Sequence, residues 1–131
     1  DMSGSAVLGP ALLDVGSVGS MAVTGDGKLQ FANSSYTKPW TWFTFDPATN
    51  ETKEVPVNQR HPADLSTAEV RREFALSKDG TRVPVNILLP AGTKLDGTNP
   101  LILSGYGGYG VSISPRFRGT IGELCYSMLG L

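Results

Sequence analysis

A chain of 131 residues with 40% hydrophobic and 18% charged side chains has a globular composition, which excludes wholesale disorder and leaves room for one modest domain or parts of two. Its 11 Lys and Arg, set against 12 Asp and Glu, are scattered, so neither nucleic acid nor an anionic membrane finds an electrostatic footprint. One cysteine, Cys125, excludes an internal disulfide and argues against a cysteine-based metal site; inside "IGELCYSML" it reads as a buried structural thiol.

In chain order, the apolar "SAVLGPALLDVGSVGSMAV" is interrupted by Pro10, Asp14 and several glycines, too often for a membrane span. No basic residues precede it, so no secretory signal is visible, and the compartment stays open between cytoplasm and periplasm. "SMAVTGDGKLQFANSS" offers two short strands around a tight turn at Asp26-Gly27. "WTWFTFD" carries the aromatic bulk of Trp40, Trp42, Phe43 and Phe45 between β-branched Thr41 and Thr44, as a strand does. A turn at "DPATN" leads to a strand-like "TKEVPV". Strands about ten residues apart predict an antiparallel sheet of the propeller-blade or sandwich kind.

"NQRHPADLSTAE" is polar and holds the next proline, marking a linker. His61, the sole histidine, reads there as a solvent-facing residue ahead of Pro62. Three further strands are expected at "VRREFAL", "VPVNILLP" and "NPLILSGY", with "SKDGT" turning the first into the second. The uninterrupted apolar character of the third predicts burial on both faces. Ile121, Leu124, Met128 and Leu131 recur at helical spacing behind Thr120 and Glu123, which are placed as a capping box. The picture is an all-β piece followed by the beginning of an α/β piece.

Between the last strand and that helix lies "ILSGYGGYGVSISP". Gly105, Gly107 and Gly110 spell G-x-G-x-x-G, but a dinucleotide turn needs a helix to start within the pattern so that its amides face the pyrophosphate. β-branched Val111 and Ile113 followed by Pro115 resist such a helix, and no acidic residue closes a second strand. Nucleotide binding is thus the weakest of three functional readings. The loop has two others. Glycines around Tyr106 allow a sharp turn that clears space beside the phenol, whose hydroxyl at a strand end is suited to donate to a developing oxyanion. Alternatively, Tyr106 and Tyr109 pack over strand ends with their hydroxyls in water.

"SKDGTRVPVNILLPAGTKLDGTNPLILSGYGGYGVSISP" resembles the prolyl oligopeptidase family of serine peptidases, at the segment where its propeller ends and its α/β-hydrolase domain resumes. The motifs are S-K-D-G-T-x-[VI]-P, L-D-G-x-[NH]-P and G-Y-G-G-[YF]; "YTKPWTWFTFDPATNETKEV" resembles the last propeller blade more loosely. The resemblance implies an internal fragment: residues 1–60 end a β-propeller, 61–69 link, and 70–131 supply the first strands and first helix of an α/β-hydrolase domain. It implies cleavage of oligopeptides after proline, without cofactor or metal. It also implies that Tyr106 is an oxyanion-hole donor and that Tyr109, where the family often has phenylalanine, lines the proline pocket.

A hydrolase of that fold carries its nucleophile at G-x-S-x-G and orders its triad Ser, Asp, His. No such elbow occurs: "GVSIS" puts Ser114 where the last glycine belongs, and His61 precedes every hydrolase-like strand. The resemblance therefore implies a triad beyond Leu131 and a chain inactive by itself. A non-enzymatic β-rich binding or assembly fragment is the alternative, since unpaired strand edges favour self-association.

Overall fold

The computed structural model describes residues 3–5, 7–57, 61, 64–117 and 119, and the elements among them are all β-strands. Strands β1 (Ser17–Val23), β2 (Leu29–Ser34), β3 (Thr41–Asp46) and β4 (Glu51–Glu54) form one antiparallel sheet in the order β1-β2-β3-β4. Strands β5 (Ala68–Leu76) and β6 (Arg82–Pro90) form a separate antiparallel hairpin. The helix expected over 119–131, with Cys125, Thr120 and Glu123, lies outside the described residues apart from Gly119.

Local chemistry sets the hairpins. At the first, the Thr24 and Lys28 backbones pair at 2.8 Å while Gly27 takes φ 79°, a conformation that costs glycine little. Between β3 and β4 the Asp46 carboxylate accepts the Ala48 N–H at 2.9 Å, and Asn50 turns left-handed at φ 56°. Between β5 and β6, Ser77 N–H donates to the Thr81 carbonyl at 2.9 Å across Asp79-Gly80.

Register then decides which residues form the core. Phe31 opposes Phe43, and their rings stack with centroids 5.6 Å apart. Phe31 is 1% exposed, and Phe45 on the same face is also buried. Asn33 shares that face, and its amide ties the N-terminal segment down. Its Oδ1 accepts the Leu13 N–H at 2.7 Å, and its Nδ2 donates to the Ser17 carbonyl at 2.8 Å. The Ala11 N–H reaches Thr52 Oγ1 at 3.0 Å, so this segment crosses the sheet from β2 to β4. The pairing of β1 with β2 slips by one residue between Val18 and Met21, a bulge at Gly19-Ser20. A Cβ on Gly19 would lie 3.0 Å from the Trp40 ring, so the indole packs closely against a bare backbone.

The structure adds to the sequence reading at some points and corrects it at others. Trp40 and Trp42 are half-exposed, because Thr41, Phe43 and Phe45 take the inward positions of β3. β4 stops at Glu54, before Pro56, which has no N–H to offer a ladder. The linker is not wholly solvated: Leu65 is buried, and the N–H of Ala68, the first residue of β5, donates to its carbonyl at 3.0 Å. The apolar run Leu101–Leu103 is not a strand, and Leu103 is 83% exposed. A strand buried on both faces needs a hydrogen-bonded neighbour and a covering layer on each side. Neither exists among the described residues.

Candidate functional site

Both tyrosines singled out from the sequence lie on the loop that follows this exposed run. Gly107 adopts φ 71° and opens the chain beside Tyr106, whose side chain is 59% exposed. The next residues reverse direction: the Val111 N–H donates to the Gly108 carbonyl at 3.1 Å, with Tyr109 at φ 52° and Gly110 at φ 64°. Two consecutive positive φ values mark a type I′ turn, which usually takes Asn-Gly or Gly-Gly at its centre. Here an aromatic residue fills the first position, and its side chain is 97% exposed. A bulky residue held left-handed costs about 1–2 kcal/mol, and such strain concentrates where a side chain must be presented in one direction.

The turn also settles the geometry of the glycine pattern. No helix starts within Gly105–Gly110, so the amides do not converge as a dinucleotide site requires. The loop instead projects two phenols, whose edges can donate hydrogen bonds and whose rings offer apolar faces. Tyr106 Cε1 lies 3.8 Å from the position a Cβ on Gly108 would take, an ordinary van der Waals contact.

The far end of the loop is fastened to the first sheet. Ser17 Oγ donates to the Pro115 carbonyl at 2.6 Å, and the Phe117 N–H donates to Ser34 Oγ at 3.4 Å. The His61 ring meets Phe117 edge-on at 4.8 Å between centroids. His61 is thus exposed, as its linker position suggested, but also engaged by an aromatic partner. The sequence offered no signal for Ser17 or Ser34, which lie 98 and 83 residues from the atoms they hold.

Asp26, Asp64, Asp79 and Asp96 are turn residues whose carboxyls are held below the ordinary range mainly by hydrogen bonds from neighbouring side chains and amides, and Glu69 in β5 is held down first by Arg71. Among the described residues no three His, Cys, Asp or Glu gather as a metal site, and no helix is long and apolar enough to cross a membrane.

No family model matches the chain. It is 35% identical over 92 residues to a prolyl endopeptidase of Elizabethkingia miricola, covering 69% of this chain and 13% of that protein. It is 34% identical over 94 residues to an uncharacterized peptidase, y4nA, of Sinorhizobium fredii, covering 70% of this chain and 12% of that protein. Among solved structures, oligopeptidase B from Trypanosoma brucei, in a closed form with covalently bound antipain, superposes with a TM-score of 0.63 at 28% identity. That match covers 87% of this chain and 16% of the other. The chain thus spans a small part of the length of each relative. Strand arrangement and sequence agree on one group of peptidases, and the chain carries G-Y-G-G-Y at Gly105–Tyr109: it belongs to the prolyl oligopeptidase family.

Proposed function

We propose that this chain is part of a serine-type oligopeptidase that cleaves peptides after proline, and that its glycine loop supplies one wall of the active site. Residues 1–60 are the end of a propeller domain, 61–69 the linker, and 70–131 the start of the α/β-hydrolase domain. In this reading Tyr106 donates its phenolic O–H to the oxyanion of the tetrahedral intermediate, and Tyr109 lines the pocket for the proline ring. Nucleophile, acid and base come from sequence outside these 131 residues, and the stretch by itself is inactive, because an oxyanion donor without a nucleophile has no intermediate to stabilise.

The observation that carries the reading is Tyr109 held left-handed at φ 52° and presented almost fully exposed, next to a phenol of the family's G-Y-G-G motif. A tyrosine that merely packed over strand ends would bury its ring. The four-stranded meander with its short hairpins fits a propeller blade.

The test uses the complete gene product. Tyr106→Phe keeps the ring and removes the donor, so kcat on a prolyl peptide should fall by about 10²–10³-fold with KM little changed. An unchanged kcat removes Tyr106 from the oxyanion site.

A further inference from the structure

Ser17 and Ser34 face each other as cross-strand partners at the end of the β1–β2 ladder. Both hydroxyls turn toward the descending limb of the glycine loop. Ser17 Oγ donates to the Pro115 carbonyl at 2.6 Å. Ser34 is fully buried, and its hydroxyl proton is directed at the Lys38 carbonyl 3.2 Å away, leaving a lone pair for the Phe117 N–H. The rung itself is stiff. Asn33 Nδ2 holds the Ser17 carbonyl at 2.8 Å, and Gly16 sits so close that a Cβ there would lie 3.0 Å from the Ser34 carbonyl. By contrast, the ascending limb Leu101–Leu103 is exposed and has no strand partner among the described residues.

We propose that the Ser17–Ser34 rung is the foot on which the glycine loop stands, and that Ser17 and Ser34 are positioning residues acting on catalysis through Tyr106. The inference rests on the oxyanion reading of Tyr106. A loop carrying an oxyanion donor must hold it within a fraction of an ångström of its working place, because misplacement by about 1 Å costs on the order of 10²-fold in rate. Gly105, Gly107, Gly108 and Gly110 give this loop little stiffness of its own, so the rigidity has to enter at its ends. Two hydrogen bonds to paired residues of a sheet provide it at one end.

The experiment is a double-mutant cycle in the complete gene product. Ser17→Ala should lower kcat about tenfold with KM unchanged, while Ser17→Thr, which keeps the hydroxyl, retains most of the rate. Ser17→Ala combined with Tyr106→Phe should be no slower than Tyr106→Phe alone, since a positioning residue has nothing left to position. Additive losses would overturn the proposal and leave Ser17 a residue of general structure. Hydrogen exchange is measured on the same variants, with β2 and β3 amides as the control for folding. Faster exchange confined to Gly105–Val111 in Ser17→Ala supports the foot, and unchanged exchange there overturns it. If Tyr106→Phe alone leaves kcat intact, the oxyanion reading fails and the catalytic role of the rung with it. The exchange measurement then still decides whether the rung holds the loop.

Discussion

Tyr109 illustrates what a single residue can cost and return. Its left-handed backbone, φ 52°, is a conformation that glycine adopts without penalty, and its ring gains no burial in exchange. Tyr109→Gly is therefore expected to raise the unfolding free energy by about 1 kcal/mol in a urea titration. The same change should lower kcat/KM for prolyl peptides if the ring lines their pocket. A loss of stability in that variant would show that the aromatic ring packs in solution. Asp26 gives a second test at this scale. Hydrogen bonding from Thr24, then from Lys28, holds its carboxyl at about 2 instead of the ordinary 3.8. A depressed folded value means that the charged form is favoured in the native turn. Its contribution is complete above 3.8 and is lost as pH falls through about 2. A carboxyl-detected NMR titration should place the midpoint well below that of a free aspartate, and Thr24→Val should move it upward. An Asp26 midpoint near the ordinary value would show that the turn is open in solution.

Among the elements, the β1–β2 pair depends most on close approach. Its bulge puts Gly19 under the Trp40 ring, and the residue before the ladder, Gly16, leaves no room for a side chain. A Cβ on Gly16 would meet the Leu13 carbonyl at 2.8 Å and the Ser34 carbonyl at 3.0 Å, and both are backbone atoms that yield only by moving the strand. Gly16→Ala should destabilise the protein by about 1–3 kcal/mol, measured as a lowered urea midpoint with an unchanged slope. Gly25→Ala, at an open position in the neighbouring turn, serves as the neutral control. How legible these elements were follows from their causes. The hairpin at Asp26-Gly27 and the one at Asp79-Gly80 could be read directly, because a turn is decided by the backbone preferences of two to five residues. The inward face of β3 could not, because Trp42 and Phe43 are equally hydrophobic and only pairing with β2 chooses between them.

Across the whole molecule, the two sheets are bridged by a side-chain hydrogen bond. Asn86 Nδ2, in the middle of β6, donates to the Tyr36 hydroxyl at 2.9 Å, from the loop that leaves β2. Asn86 Oδ1 is buried and has no hydrogen-bond partner among the described residues, so the amide rests on that one bond. Tyr36→Phe should cost about 1–3 kcal/mol in urea unfolding, because the whole amide is then buried unsatisfied. Adding Asn86→Leu should restore most of it by removing the polar group as well. A double variant as unstable as the single one would place the cost in packing instead of polarity.

The amino-acid sequence by itself determined the turns, the strand periodicity and the family motifs, since each depends on residues close together in the chain. It also carried the two tyrosines as candidates, because glycines on either side of an aromatic residue are visible without a fold. Only the tertiary structure decided that Asn33 is a buried hub, that Leu65 of the linker belongs to the core, and that Ser17 and Ser34 hold the loop. It also decided that Leu101–Leu103 has no strand partner among the described residues. The physical reason is common to all four. A polar side chain is buried, or an apolar run becomes a strand, only when distant partners close around it, and the loop-closure and desolvation terms that govern this are not properties of any local segment.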